Sequence, residues 1–574
     1  MTESVLPWAS AANRHAERAP WRREDETTRY LCSAAHLDQE FADQAIRETL
    51  VEPLRAVPPT PGVNLGAVLR EAVAARMRRR IRDAILLLCL LGVLYTGTYL
   101  FVLWLLYAIA WSYLAPRHAA GQRSTLLREW GGVVKLEVVR RTRRWVLILF
   151  LVLAALLAAN QFAPAQTRRA AATPELVDGG LLPWFFVLTG LLVVLADEFV
   201  LAALLSRSFR AGPGFQANPS RDTWAGEKLF RGLGSRRMRR ELTRFEQAEQ
   251  DSDVLVYRDY HPFVGSGVPF QPWSIALPLD PAGQTVPAAF TLTELYEHVT
   301  VELGKLGGSA SLSPERRLGG LTPRHQVVVS AETLLDHLHD ERAGWVLPDV
   351  DAAPKRTLTA DQVAELRERP LEWMRYYRCF QVETWDRNLV VSIYLHLGAD
   401  DRMLYLEWTP CVLRPVAEHY RIADRRPATP WAPIRHAIGS LLSLPVTAPR
   451  RVQALFRTLR PLPQPHGMLV PDKYGAAASL RELTADEDLA NYFQRKDLER
   501  YLQLLEGRAF RAIGEFLTTR GLSVVEFQAR ANQVINNHID NTGGSLNFVG
   551  GNVDGKSVQA RDVGGGVSQG GAKD

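Results

Sequence analysis

Residues 84–115 read AILLLCLLGVLYTGTYLFVLWLLYAIAWSYLA and contain no charged side chain. As a single helix this block would be roughly 48 Å long at 1.5 Å per residue, against a hydrocarbon core of about 30 Å. Its flanks decide how it is used. Arg76, Arg78, Arg79, Arg80 and Arg82 precede it, and Arg117, Arg123, Arg128, Lys135, Arg140, Arg141, Arg143 and Arg144 follow it. Basic segments beside apolar spans stay on the cytoplasmic side, so both ends belong on the same face. The block is therefore expected to be a helical hairpin turning near Gly97 and Thr98, with arms short enough to be steeply embedded or only partly spanning.

Two further apolar blocks, 145–163 and 181–205, follow the same logic. The loop 164–180 between them is nearly neutral, with Arg168 and Arg169 facing Glu175 and Asp178. Arg207, Arg210, Arg221, Lys228, Arg231, Arg236, Arg237, Arg239 and Arg240 come after the last block. The expected arrangement is a transmembrane region over 84–205, built from a hairpin (84–115) and two spans (145–163 and 181–205). It places the chain in the cell membrane as a multi-pass protein with both termini cytoplasmic and the lipid bilayer as its first partner. Asp197 and Glu198 interrupt the third block. A carboxylate at membrane depth is a candidate functional group, here for a transporter-like role. The alternative is that the two lie near the cytoplasmic end and reach Arg207 or water.

The membrane part is a minority of the 574 residues, since 23% are charged and the mean hydropathy is only −0.10. The formal charge is +6, which could suit nucleic acid. The excess sits beside the apolar blocks, however, and no aromatic platform interleaves it. Orientation and attraction to anionic headgroups explain it better, and no nucleic-acid partner is expected. Cys32, Cys89, Cys379 and Cys411 form no C-x-x-C pair, so a zinc knuckle or redox motif is not expected. The first apolar run begins after more than eighty residues, which is unlike a signal peptide. Residues 1–83 then form a cytoplasmic helical region, with helical spacing over Tyr30–Leu50 broken by Pro58, Pro59 and Pro61. Residues 206–252 form a basic juxtamembrane segment.

From Asp253 the pattern becomes strand-like. Val254–Tyr257, Trp273–Leu277 and Val327–Val329 are short apolar runs, and Leu292–Leu306 has a helical face of Leu295, Val299 and Leu303. Cys379–Trp385, Leu389–Leu395 and Met403–Val412 are three β-branched and aromatic runs, joined by Asp386-Arg387-Asn388 and Gly398-Ala399-Asp400-Asp401. Such short polar joins predict antiparallel hairpins. Residues 253–483 are thus expected to be a cytoplasmic α+β domain with an antiparallel sheet. After prolines 461, 463, 465 and 471, residues 484–540 read as helical, with Leu498, Tyr501, Leu502, Leu505, Ala509 and Ile513 forming a stripe that docks on its own domain.

The segments Val256–Gly267 (VYRDYHPFVGSG), Trp273-Ser274 and Leu404–Trp408 (LYLEW) resemble an uncharacterised family of actinobacterial multi-pass membrane proteins. The resemblance covers most of residues 28–540. It implies a multi-pass membrane protein and supplies no catalytic residues.

The remaining chemistry is sparse. Gly550–Ser557 (GGNVDGKS) matches the P-loop spacing, but a P-loop needs a strand before it and a helix after it, and the glycine-rich residues that follow have no helical pattern. His337 and His339 lack a third placed ligand for a metal. Gly304–Ser309 reads as a flexible loop without a dinucleotide fingerprint, and no G-x-S-x-G elbow occurs. No enzyme activity and no cofactor are expected.

The tail 541–574 is rich in Gly, Asn, Ser and Val. Gly551, Val553, Gly555, Val558, Gln559, Ala560, Val563, Gly565 and Val567 follow an ordered spacing. Stacked copies could zip the valines and ladder Gln559 along a fibril. This tail resembles the short amyloid signalling motifs of multicellular bacteria, in the style of the Val-Gln cores of necroptosis adaptors. The resemblance implies a protein partner with a matching tail, or assembly into a homo-oligomer. The alternative is a disordered glycine-rich terminus. The expected function is a non-enzymatic membrane protein with a cytoplasmic partner-binding domain and an assembly-mediating tail. The alternatives are a membrane-perturbing effector triggered by templating, or a transporter-like protein.

Overall fold

A computed structural model describes residues 26–114, 181–205, 209, 252–284, 286–308, 318, 320–385, 388–421, 431–457 and 469–542. The second apolar block (145–163), the loop 164–180, the basic segments 117–144 and 210–240, and the tail from 543 onward lie outside the described residues.

The chain begins with helices α1 (Glu26–Leu37) and α2 (Gln39–Ile46). Asp38 separates them and caps α2, its carboxylate accepting from the Glu40 and Phe41 N–H groups. A wide π turn at Arg47–Val51 and the prolines that follow end this part. Asn64 then caps the long helix α3 (Leu65–Thr96) by accepting from the Ala67 N–H. The first half of α3 packs Leu69, Ala72 and Val73 into one core with Leu31, Ala35 and Ala42 of α1 and α2. Its second half is the start of the first apolar block. Helix α3 therefore begins nineteen residues before that block, inside the region assigned from sequence to the cytoplasmic side.

Gly97 breaks the block, and α4 (Thr98–Leu114) follows. The chain folds back there: the Trp104 indole N–H donates to the Leu442 carbonyl at 3.2 Å, and both Trp104 and its neighbour Leu444 join the cluster that holds Leu86 and Leu90 of α3. Helix α5 (Leu182–Ala203) lies antiparallel to α3. At one end a methyl group on Gly97 would sit 2.8 Å from Pro183 Cγ. At the other end Arg82 meets Asp197. Gly92 makes the close approach possible, since a Cβ there would lie 2.7 Å from the Phe186 ring. From Arg82 to Gly97, or from Pro183 to Asp197, the paired helices rise only about 21–22 Å. By length and composition, α5 is the only helix among the described residues that could cross a membrane; the apolar stretch Thr98–Ala110 of α4 is shorter.

The second half of the chain is built on one sheet. Its strands are β1 (Val254–Tyr257), β2 (Val268–Pro269), β3 (Trp273–Pro278), β4 (Thr322–Ser330), β5 (Met374–Thr384), β6 (Leu389–Ala399) and β7 (Met403–Leu413). The order is β1-β4-β5-β6-β7-β2, with β3 also pairing β7. The expected hairpins β5–β6 and β6–β7 are antiparallel, with Cys379 opposite Tyr394 and Ser392 opposite Cys411. The sheet as a whole is mixed rather than antiparallel, because β1 runs parallel to β4. A parallel pair needs a long crossover, and helix α6 (Leu292–Gly308) lies within this one. No short-range signal fixes the direction of two strands so far apart in sequence.

One face of the sheet is covered by α6, α10 (Tyr492–Thr519) and α11 (Val525–Thr542). Leu498, Leu505, Ala509 and Ile513 of α10 are buried there, so the stripe docks on its own domain. α7 (Ala360–Glu368) adds Val363 and Leu366 to the same core behind a capping box at Thr359 and Gln362. Residues 304–308, expected to be a loop, continue α6, because Leu303 and Leu306 are buried under the sheet and outweigh the glycines. Between β7 and residue 469 the chain makes an excursion: α8 (Trp431–Leu442) and α9 (Leu444–Phe456). These residues were grouped by sequence with the α+β domain. They pack on α3, α4 and α5 instead, with Ala437, Leu441 and Leu444 in the apolar helix cluster.

Candidate functional site

A belt of ion pairs lies beneath the apolar helices. α3 supplies Arg78 and Arg82 one turn apart on one face. Arg78 Nε is 3.3 Å from Asp197 Oδ1, and Arg82 Nη1 donates to Asp197 Oδ2 at 2.9 Å. Arg82 also grips its neighbour Asp83 at 3.0 Å. Asp83 pairs in turn with Arg451 of α9. Arg451 completes its fan on Thr447 Oγ1 at 3.2 Å and Ser440 Oγ at 3.3 Å. The two carboxylates are nearly sealed, with side-chain exposures of 8% for Asp197 and 6% for Asp83. The result is an alternating chain, Arg78–Asp197–Arg82–Asp83–Arg451, that ties three helices together at one level.

Below it the arginines grip the N-terminal helices. Arg79 donates to the Ala35 carbonyl at 2.8 Å, and Arg76 pairs with Asp43 at 3.0 Å. His36 and Glu71 meet at 2.8 Å in a fully buried pair, and burial lowers the His36 imidazole below its ordinary value despite Glu71. Arg76 and Arg80 each donate to the Arg457 carbonyl at 2.8 Å. That carbonyl ends α9, where a cation complements the helix dipole.

Of the two carboxylates flagged by sequence, Asp197 is thus at the centre of the belt. Among the described residues its partners are Arg78 and Arg82; Arg207 lies outside the described residues. Glu198 is half-buried beside it, and its charge acts on Arg78. The i, i+4 spacing of Arg78 and Arg82 was a usable signal for a paired face; Asp83 and Arg451 had none, because nothing in the sequence places α9 beside α3. Among the described residues both carboxylates of the belt, Asp83 and Asp197, are paired with guanidinium groups. The belt therefore holds α3, α5 and α9 together.

A second built feature explains the VYRDYHPFVGSG segment. Glu482 Oε1 accepts from the Gly265 and Gly267 N–H groups, each at 2.8 Å, and Oε2 accepts from the Ser479 N–H at 2.7 Å. Burial pushes this carboxyl up and the three N–H groups hold it down. Gly265 and Gly267 have φ of +99° and +84°. A Cβ at the first would be 2.3 Å from the Pro59 carbonyl oxygen, and at the second 2.2 Å from that of Val412. Ser266 Oγ shares a 2.6 Å hydrogen bond with Tyr394 OH, and the Phe263 ring stacks on Tyr394 at 4.1 Å. The turn therefore clasps the Pro59 region onto the sheet face that carries Cys379, Tyr394 and Cys411. Burial raises the Cys379 thiol to about 12, so it is inert as a nucleophile.

His337 stacks on Trp373 at 4.8 Å and on His339 at 5.9 Å. Among the described residues no group of histidine, cysteine or carboxylate side chains could hold a metal ion. The P-loop-like run 550–557 and the tail residues Gly551, Val553, Gly555, Val558, Gln559, Ala560, Val563, Gly565 and Val567 lie outside the described residues.

Residues 272–553 match the AbeC-like domain family. The match takes in β3 to β7, α6 to α11 and the α8–α9 excursion. It leaves out α1 to α5, β1 and the Gly265–Gly267 turn, and spans just under half of the chain. No curated protein and no solved structure matches the chain.

Proposed function

We propose that this chain is a non-enzymatic membrane protein in which α4, α5 and the second half of α3 sit in the bilayer and hold the AbeC-like unit against its cytoplasmic face. The observation that carries this reading is a set of large apolar side chains that all three helices leave exposed. Leu88 and Leu91 of α3 are 66% and 59% exposed, Leu106 of α4 is 57%, and Phe185 and Leu192 of α5 are 60% and 57%. Patches of this kind mark a membrane or a partner. Here they end at the arginine belt, as expected where hydrocarbon gives way to headgroups. The tail then recruits or clusters the membrane part through a partner with a matching sequence, or through its own copies.

The test is alkaline carbonate extraction of the full chain expressed in cells. Retention in the membrane pellet is the expected result; release into the supernatant removes the membrane assignment. For the tail, a peptide of residues 541–574 that stays monomeric and gives no thioflavin signal removes the assembly role.

One observation favours the second reading, a membrane-perturbing effector. The paired apolar length of about 21–22 Å is shorter than a hydrocarbon core of about 30 Å. Such mismatch thins or distorts the bilayer locally. Dye release from vesicles carrying the full chain, and its loss on removal of residues 541–574, distinguishes this effector from a passive anchor.

A further inference from the structure

We infer that the α8–α9 excursion is a lipid-reading element: it takes the phosphate groups of anionic phospholipids on a rim formed by Arg80, Arg450 and Arg457. This rests on the membrane reading above and adds a ligand class to it. α9 runs from the apolar level, where Leu444 packs with Leu86, down to the arginine level, where the Arg457 carbonyl meets Arg76 and Arg80. Along this path its outward side is amphipathic. Val446, Pro449, Val452 and Phe456 are exposed on one flank, and Arg450 and Arg457 on the adjoining one, as the 100° helical step requires. Phe456 is 73% exposed at the end of α9, next to the Arg457 carbonyl that Arg76 and Arg80 reach. An aromatic residue at such a boundary is characteristic of the headgroup layer.

The charges point to an anion rather than to plain apolar burial. Arg451, on the inward side, is occupied by Asp83. Arg80, Arg450 and Arg457 form no ion pair among the described residues, although Arg80 reaches the Arg457 carbonyl. Three guanidinium groups without an ion pair among the described residues, at the edge of an exposed apolar face, fit a negatively charged leaflet, since guanidinium binds phosphate oxygens in a fork. α8 and α9 lie within the AbeC-like match, whereas α3 to α5 lie outside it. The lipid contact therefore joins Arg450 and Arg457 of that unit to Arg80 of an anchoring helix.

The test uses the full chain reconstituted in vesicles of equal phosphatidylcholine and phosphatidylglycerol. The chain is extracted into mild detergent and its retained phospholipids are quantified by mass spectrometry. The wild type is expected to retain phosphatidylglycerol in excess. R450Q/R457Q is expected to lower that preference by up to about thirtyfold, while R450K/R457K keeps most of it and controls for folding. Retention of the two lipids in their bulk ratio, or an unchanged preference in R450Q/R457Q, overturns the inference. Carbonate extraction of the same variants separates the two failures. A wild type that stays in the membrane without lipid preference overturns the inference alone, and a wild type released by carbonate overturns the membrane reading with it.

Discussion

The sheet domain and the apolar helices use the same residues to opposite ends. In the sheet, Leu395, Leu397, Leu404 and Leu406 are 0% exposed, sealed by α6, α10 and α11. In α3 and α5, Leu88, Leu91, Phe185 and Leu192 remain more than half exposed although the helices pack closely on their inner sides. The difference shows that packing alone does not complete the helical part. Its inner faces are closed by small residues such as Gly92 and Gly190 and by the ion-pair belt, and its outer faces stay exposed, which the proposed bilayer setting would cover.

The largest expected effect comes from breaking the belt, because that is where the helical region is held by charge instead of by apolar burial. Asp197→Ala leaves Arg78 and Arg82 facing each other without their shared carboxylate. Removing one partner of a buried pair costs roughly 3–5 kcal/mol. Thermal unfolding of the detergent-solubilised chain should show the loss. The double variant with Arg82→Ala should recover part of it. An Asp197→Ala protein as stable as wild type means that the belt does not hold α3 and α5 together.

A smaller pair of changes puts the comparison itself at risk. Leu406→Ala in β7 opens a cavity under α10 and costs roughly 2–5 kcal/mol. Leu88 on the outer side of α3 is 66% exposed, so Leu88→Ala should change the detergent-solubilised chain by only about 0.5 kcal/mol. The comparison breaks if the two substitutions cost the same in detergent, because Leu88 would then be covered by another part of the chain. It is sharpened if Leu88→Ala weakens membrane retention and Leu406→Ala does not.

How much of this could be read in advance follows from the range of each signal. The strands β5 to β7 and helix α10 were legible because a period of two or of 3.6, with polar joins, is local. The break at Gly97 falls where the expected hairpin was to turn, while the basic flank after the block lies outside the described residues. Asp197 stood out as a charge in an apolar run, and its partners Arg78 and Arg82 carried helical spacing. The parallel β1–β4 pair was not legible, since its register depends on a crossover through α6. The return of α8 and α9 to the apolar helices was hidden for the same reason: a segment flanked by prolines gives no address for where it docks. Gly265, Gly267 and Glu482 could be recognised only as part of a resembling segment, because the contacts that require them, at Pro59 and Val412, are far away in sequence.

The smallest expected effect separates the two regions by pH. His325, on β4, is held at about 4 against an ordinary 6.5, first by burial and then by the Arg378 and Arg367 cations beside it. It hydrogen-bonds Tyr376 OH at 2.8 Å in its neutral state. His36, in the helical region, is also lowered by burial. In both cases the unfolded chain takes up a proton before the folded one does as pH falls. Stability is therefore complete above about 6.5, declines as pH drops, and for His325 levels off only below about 4. The unfolding midpoint should fall between pH 7 and pH 4.5. His325→Gln should flatten the slope of the transition that reports the sheet domain, and His36→Gln the slope of the one that reports the helices. If either variant instead flattens both transitions equally, the two regions unfold as one cooperative unit, and the contrast between a sealed sheet and open helices describes surfaces only and not separate folding units.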